Sequence, residues 1–136
     1  DDRKALLEGL QSGVIDAVTT DHQPLTRVEK ELEFELATPG AIGLETSLNA
    51  CVEALGGDFG LAVDVLSVRP GQLLGIDRRI AAGAEANFFL WEAGAEWTVN
   101  EQSIRSKCSN TPLLGRSFTG RVKAVFRKGE KLRSTA

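Results

Sequence analysis

The fold of this chain is decided by residues 13–46, which read GVIDAVTTDHQPLTRVEKELEFELATPGAIGLET. The residues before Gly13 begin with two aspartates and continue with leucines at helical spacing, which predicts a capped helix that ends at this glycine. Residues 14–20 are mostly apolar and β-branched, which predicts a short buried strand. Helix, short turn and strand in this order are typical of an α/β protein.

The segment that follows the predicted strand is long and lacks periodicity. Residues 21–43 contain two prolines and many charged side chains, and loops of more than ~15 residues in compact domains are often functional. This loop leaves the C-terminal end of a strand, where α/β sheets and (β/α) barrels place their sites. Asp21 stands at that end, where a carboxylate can ligate a metal ion and transfer a proton. On its own, the Asp21-His22 pair is better explained by an aspartate that caps the following turn.

The rest of the chain divides near residues 76–80 into a helical part and a β part. Apolar residues at helical spacing predict a helix from Leu44 to Leu55 that ends at a glycine pair, and two shorter helices follow before Gly75. Alternating apolar residues then predict strands over 86–91, 97–99 and 122–126. Residues 128–130 predict a hairpin turn into a last strand over 131–133.

Composition and charge exclude several classes of protein. With 42% apolar and 26% charged residues, the 136-residue chain has the composition of a globular domain. The longest uncharged stretches reach about nine residues, too few to span a membrane. A net charge of −3 gives no general attraction for nucleic acid. Basic residues cluster only near the C-terminus, where we expect them to cover an exposed hairpin rather than to bind a polyanion: Arg121, Lys123, Arg127, Lys128, Lys131 and Arg133.

Cysteine and histidine usage limits the chemistry that this chain can perform alone. Cys51 lies on an apolar helical face, as a core residue would, and without a C-x-x-C pair we expect a reducing, cytoplasmic location. The sequence has no Gly-rich phosphate loop, G-x-S-x-G elbow or H-E-x-x-H motif. His22 is the only histidine, so a histidine-rich metal site would need residues from elsewhere. The chain also lacks methionine, and we expect it to be a fragment.

Residues 13–46 resemble the last barrel strand and following loop of dihydroorotases, which belong to the amidohydrolase superfamily. In that family the strand ends in Asp-His-Ala-Pro-His, a Glu-Lys pair follows, and Gly-Leu-Glu-Thr starts the next helix. This chain has DHQPL at 21–25, Glu29-Lys30 and GLET at 43–46. The resemblance continues through LSVRPGQLLGI, IAAGAEANFFLWEAGAEWTV, NTPLLGRSFTGRV and VFRKGEKL.

The resemblance implies a particular fold and domain organisation. The family combines a (β/α)8 barrel with a small β domain built from both ends of the chain. Residues 1–78 are then expected to be the C-terminal portion of the barrel, and residues 79–136 to be strands of a small β-sandwich. Because such barrels need about 250 residues, the histidine ligands of the family would lie upstream of this fragment.

The resemblance also implies an activity, zinc-dependent reversible hydrolysis of dihydroorotate to N-carbamoyl-L-aspartate in pyrimidine biosynthesis. Asp21 would be both a ligand of one or two zinc ions and the general base. The positions that contact substrate would be Leu25, Pro39 and Gly40. Leu25 replaces a histidine and cannot donate a hydrogen bond to a substrate carboxylate. Pro39 has no N–H to donate, so its carbonyl and the N–H of Gly40 are the backbone groups left to contact substrate.

Two alternatives share this resemblance. A non-catalytic, dihydroorotase-like scaffold subunit of aspartate carbamoyltransferase would tolerate the changes at Leu25 and Pro39. A hydantoinase- or allantoinase-like enzyme would act on a different ring. Retention of Asp21 favours an active enzyme with a small-molecule substrate, as a homo-oligomer or with aspartate carbamoyltransferase, and without nucleic acid or membrane partners. We expect the fragment alone to be inactive and not to fold stably.

Overall fold

The computed structural model describes residues 1–77 and 79–134. Helices precede strands along the described chain, and the helical and β parts divide between Leu73 and Phe88, near the predicted boundary. They are α1 (Asp2–Ser12), α2 (Arg27–Lys30), α3 (Ser47–Ala54), α4 (Phe59–Val63), a π-helical turn (Asp64–Val68), α5 (Arg69–Leu73), β1 (Phe88–Thr98), β2 (Ser117–Arg127) and β3 (Glu130–Ser134). Within these ranges no helix is long and apolar enough to cross a membrane.

The first helix confirms the prediction at both of its ends. The Asp1 carboxylate accepts a hydrogen bond from the backbone N–H of Arg3 at 3.2 Å, which satisfies one of the free donors at the helix start. Gly13 adopts φ 78 after the last turn, and its N–H donates to the carbonyl of Leu10. A glycine in this left-handed conformation ends a helix without steric cost.

The predicted strand over residues 14–20 is wrong for this chain. These residues have no regular secondary structure, and their backbone bonds go to helices: Ile15 N–H to Gly9 at 2.9 Å and Val18 N–H to Val65 at 3.0 Å. A strand is defined by pairing with another strand, and no neighbouring strand lies beside this segment in the described ranges.

The two helices predicted between Gly57 and Gly75 form one continuous helical segment. The N–H of Arg69 donates to the carbonyl of Asp64, five residues earlier, which widens the turn just before Pro70. Proline has no N–H and its ring crowds the preceding turn, so a π-type turn lets the helix continue through it. The Arg69 guanidinium also pairs with Asp64 at 2.9 Å and donates to the carbonyl of Leu10 at 3.1 Å, which attaches α1.

The three strands form one antiparallel sheet in the order β1-β2-β3. The two strands predicted over 86–91 and 97–99 are a single strand, whose pairing with β2 shifts between Glu92 and Glu96. The predicted hairpin turn is confirmed: Lys128 and Gly129 have φ 51 and 81, the two positive angles of a type I′ turn. Of the predicted basic cluster, Arg127, Lys128 and Lys131 are exposed, whereas Arg121 and Lys123 are half-buried and the side chain of Arg133 lies outside the described residues.

Two buried clusters form the core: the first joins the helical and β parts, and the second lies within the helical part. One consists of Ile42, Val99, Ile104 and Phe118, and the other of Cys51, Leu55, Ala62 and Val65. The first cluster matters for the site, because Ile42 belongs to the long loop while its three partners come from the β part. Cys51 is a core residue, as predicted.

A buried asparagine fixes the sheet to α3. The Asn49 amide donates to the carbonyls of Thr119 at 3.1 Å and Gly120 at 2.9 Å. A buried polar side chain needs such partners to offset its desolvation. The sheet therefore has a defined position against α3, and the β1–β2 connection reaches the long loop.

Candidate active site

The long loop begins and ends side by side. His22 forms an isolated parallel bridge with Ala41, and the N–H of Gln23 donates to the carbonyl of Ala41 at 2.9 Å. Residues 21–25 and 39–43 are therefore neighbours, and we refer to them as the two arms of the loop. This pairing brings the predicted Asp21, Leu25, Pro39 and Gly40 into one region.

The segment between the arms contains the short helix α2. The N–H and the hydroxyl of Thr26 both donate to Oε2 of Glu29, at 2.7 and 2.6 Å. Both bonds lower the pKa of Glu29 below its ordinary value, and the bond from the hydroxyl has the larger effect. Lys30 reaches from α2 to the second arm, where its Nζ donates to the carbonyls of Thr38 at 2.9 Å and Gly40 at 3.3 Å. Glu29 and Lys30 are thus each bonded to the loop, although Glu29 is exposed.

Asp21 is exposed and has an uncommon backbone conformation. Its φ is 41, in the left-handed region that non-glycine residues adopt rarely and aspartate and asparagine most readily. Nε2 of Gln23 donates to Oδ2 of Asp21 at 3.0 Å. Oδ1 has no hydrogen-bond partner within the described residues. The carboxylate is thus held by one oxygen and offers the other.

Leu25 and Gly40 are each tied to Asn110. The N–H of Leu25 donates to Oδ1 of Asn110 at 3.0 Å, and the Leu25 side chain lines a cavity of about 640 Å³ between the loop and residues 101–114. The carbonyl of Gly40 accepts from Nδ2 of Asn110 at 3.4 Å. Pro39 is exposed. Neither Asp21 nor Gly40 lines this cavity, so the space that Leu25 faces does not include the Asp21 carboxylate.

Gly40 is a position that only glycine fits. Its φ is 123, and a Cβ built there would lie 2.4 Å from Oε1 of Gln23. Real Cβ contacts are far longer, so the Gln23 amide occupies the space that a side chain would need. Gln23 therefore contacts both arms, with one end of its amide against Asp21 and the other against Gly40.

His22 connects the first arm to the start of α3 and to the β part. Its Nδ1 accepts from the backbone N–H groups of Gly43 at 3.1 Å and Leu44 at 3.3 Å. The proton of a neutral ring is then on Nε2, which lies 3.3 Å from the hydroxyl of Ser106. That hydroxyl donates to Oε1 of Glu45 at 2.7 Å. Both ring nitrogens of His22 are therefore in contact with protein groups.

Glu45 is the acceptor at the end of this chain of hydrogen bonds. Its Oε1 also accepts the backbone N–H groups of Arg105 at 3.0 Å and Ser106 at 2.7 Å. Burial raises the pKa of Glu45, but the hydrogen bonds from Ser106, from Arg105 and within Glu45 itself outweigh it, and the net change is downward. The Glu45 carboxylate therefore stays ionised, although its Oε2 is buried without a partner in the described residues.

The described residues do not complete a metal site. No three histidine, cysteine, aspartate or glutamate side chains within them come together as metal ligands. Asp21 offers one carboxylate oxygen, a suitable ligand for zinc, but belongs to no group of three such ligands within the described residues. A metal bound here would need ligands from other residues.

Sequence reasoning missed three residues that shape this region. It left Gln23, Ser106 and Asn110 without a role. Position 23 carried a signal, since Gln23 stands where the Asp-His-Ala-Pro-His motif has alanine, and Asn110 opens the NTPLLGRSFTGRV segment of the resemblance. The contacts of Ser106 and Asn110 left no local pattern, because their partners lie 61 or more residues away in sequence.

Comparison with known proteins identifies the family to which this chain belongs. The chain belongs to the amidohydrolase family, and the match covers residues 1–132. It is similar to curated dihydroorotases, which confirms the predicted resemblance. The protein of Caldicellulosiruptor saccharolyticus is 37% identical over 98% of this chain and 32% of its own length. That of Geotalea daltonii is 43% identical over 88% of this chain and 29% of its own length.

Solved structures share the fold. A D-hydantoinase superposes with a TM-score of 0.86 at 19% identity over 96% of this chain and 31% of its own. The dihydropyrimidinase of Brevibacillus agri NCHU1002 superposes with a TM-score of 0.85 at 22% identity over the same fractions. The chain therefore spans about a third of the length of the proteins it matches.

Proposed function

We propose that this chain is part of a metal-dependent cyclic amide hydrolase that interconverts dihydroorotate and N-carbamoyl-L-aspartate, as in pyrimidine biosynthesis. The observation that carries this proposal is the Asp21 carboxylate, held on one oxygen by Gln23 at 3.0 Å and open on the other. The similarity to dihydroorotases over 98% of the chain supports this substrate.

The proposal includes a place for each part of the chain. Residues 1–78 would be the C-terminal portion of a (β/α)8 barrel, and residues 79–136 would supply strands of a small β-sandwich. Asp21 follows residues 14–20 and would lie at the face of the barrel where catalytic groups of this fold lie.

Asp21 would hold zinc through the oxygen that Gln23 leaves open, and the other ligands would come from outside this chain. Zinc in such a site polarises a carbonyl and makes hydroxide available near neutral pH. Asp21 would accept the proton of the attacking water and deliver it to the ring nitrogen as the amide bond breaks. The N–H of Gly40 and the carbonyl of Pro39 would contact the substrate.

Turnover of a panel of cyclic amides by the full-length protein tests this proposal. We expect dihydroorotate to be hydrolysed with a higher kcat/KM than hydantoin, dihydrouracil or allantoin. We also expect activity to disappear with a chelator and to return with zinc. A preference for hydantoin would contradict the substrate and favour the hydantoinase alternative. No turnover by zinc-loaded protein, with co-purification of aspartate carbamoyltransferase, would favour the scaffold alternative.

Restoring the histidine of the family motif at position 25 tests the substrate contact. Since the resemblance gives this position a charge-assisted bond worth about 1.5–3 kcal/mol, Leu25→His is expected to lower KM for dihydroorotate by roughly ten- to a hundredfold. Steady-state kinetics measure the change. Leu114→His is the control, because Leu114 lines the same cavity away from the two arms. An unchanged KM in Leu25→His would remove residue 25 from the substrate site.

A further inference from the structure

Asn110 joins both arms of the loop from the β part of the chain. Its Oδ1 accepts the N–H of Leu25 at 3.0 Å, and its Nδ2 donates to the carbonyls of Gln23 at 2.9 Å and Gly40 at 3.4 Å. Its own carbonyl accepts the N–H of Ile42 at 3.1 Å. One half-buried residue thus bonds to two positions on each arm.

The chemistry of these contacts requires an amide. A side chain amide presents an acceptor and two donors in one plane, as a backbone peptide unit does in a sheet. Aspartate would keep the acceptor for Leu25 but would place a negative oxygen against the carbonyls of Gln23 and Gly40. Alanine would leave the N–H of Leu25 and the carbonyl of Gln23 without this partner, which is costly for half-buried backbone groups.

The positions that Asn110 fixes are those on which the site depends. Gln23 holds the Asp21 carboxylate, Gly40 presents the N–H proposed to contact substrate, and Leu25 lines the adjacent cavity. Other hydrogen bonds also join the arms to each other and to α2: the N–H of Gln23 donates to Ala41, the N–H of Gly43 donates to Nδ1 of His22, and Lys30 donates to Gly40. Asn110 bonds to both arms from the β part, so its removal is expected to loosen both.

We propose that Asn110 is a positioning residue, through which the β part sets the geometry of the Asp21 and Gly40 arms without touching the substrate. The proposal rests on the proposed hydrolase function for its effect on catalysis. Its effect on the loop is independent of that function, because it follows from the hydrogen bonds alone. The test accordingly measures the loop and the kinetics separately.

Hydrogen exchange of the full-length protein measures how strongly the Leu25 amide in the loop is protected. In Asn110→Ala the Leu25 amide is expected to exchange at least tenfold faster, because it loses its acceptor. The matched control is Asn100→Ala in the same connection, where Oδ1 accepts only the nearby N–H groups of Gln102 and Ser103. Asn100→Ala should leave Leu25 unchanged. Equal exchange at Leu25 in wild type and Asn110→Ala would overturn the proposal whether or not the protein hydrolyses dihydroorotate.

Steady-state kinetics measure the consequence for the site. Asn110→Ala is expected to lower kcat/KM for dihydroorotate by about ten- to a hundredfold, the range seen when groups that orient ligands are removed. Most of the loss should be a higher KM, because the proposed contact of Gly40 with substrate is displaced, and Asn100→Ala should change neither constant. Faster exchange at Leu25 without a change in KM would overturn the positioning role.

Asn110→Asp serves as a second variant if Asn110→Ala fails to fold. It has the same shape and keeps the acceptor for Leu25, so the Leu25 amide should stay protected while the KM rises, because the bonds to Gln23 and Gly40 are lost. A wild-type KM in Asn110→Asp would overturn the proposal. If even wild-type protein shows no turnover, the hydrolase function fails while the exchange result at Leu25 still decides whether Asn110 holds the arms.

Discussion

Asp21→Asn in the full-length protein is expected to reduce kcat for dihydroorotate hydrolysis by about 10²- to 10⁴-fold, the contribution of a positioned general base. Asparagine has the same shape but cannot accept a proton from water at neutral pH, and it is a weaker zinc ligand. The fold should be preserved, because the φ of 41 at this position suits asparagine as well as aspartate. Kinetics, zinc content and a thermal unfolding curve measure the three effects.

Asp16→Asn provides the matched control for this substitution. Asp16 precedes Asp21 by five residues, is exposed, and makes no hydrogen bond or ion pair within the described part of the chain. Asp16→Asn should retain wild-type kinetics and zinc content. An Asp21→Asn protein that is folded, loaded with zinc and fully active would remove Asp21 from the proposed mechanism.

Gly40→Ala is expected to have the largest effect on the loop itself. An alanine at φ 123 is strained at a cost of about 1–3 kcal/mol, and its Cβ would lie 2.4 Å from Oε1 of Gln23. Relief of that overlap costs roughly a further 1–3 kcal/mol. The free energy of unfolding should therefore fall by about 2–6 kcal/mol in total. Activity should also fall by tenfold or more, because a displaced Gln23 releases Asp21.

Two comparisons separate the strain at Gly40 from the contact with Gln23. Gly56→Ala also places alanine at a positive φ, 69, but with no atom within 4 Å, so it should lose stability without losing activity. In a Gln23→Ala background, Gly40→Ala should lower the free energy of unfolding only by the cost of the strained φ, since the overlapping amide is gone. Equal losses of unfolding free energy in both backgrounds would show that the Gln23 contact has no energetic role.

Much of the helical and hairpin structure could be predicted from short stretches of sequence. Asp1 and Gly13 bound α1 because capping and left-handed termination are decided by the residues at the helix ends. Lys128-Gly129 forms its turn because two positive φ angles fit the twist of a hairpin. Pro70 was predicted to start a new helix, and only the π-type turn before it shows how the helix continues.

The prediction for residues 14–20 failed for a different physical reason. Their apolar, β-branched composition indicates a buried strand, but a strand also requires a partner whose position no local pattern specifies. In the described ranges their backbone groups bond to helical residues such as Gly9 and Val65 instead.

The sequence by itself determined the helix caps, the hairpin, the dihydroorotase-like motif and Asp21 as its acidic residue. Only the tertiary structure decided which residues hold that motif in place. Asn110 is hydrogen-bonded to Gly40, 70 residues away in sequence, and to Gln23, 87 residues away. Ser106 is hydrogen-bonded to His22, 84 residues away. The reason is physical. Capping and turn formation act over a few residues and leave a local pattern in the sequence. The long-range hydrogen bonds instead depend on the packing of Ile42 against Val99, Ile104 and Phe118, which places the β1–β2 connection beside the loop.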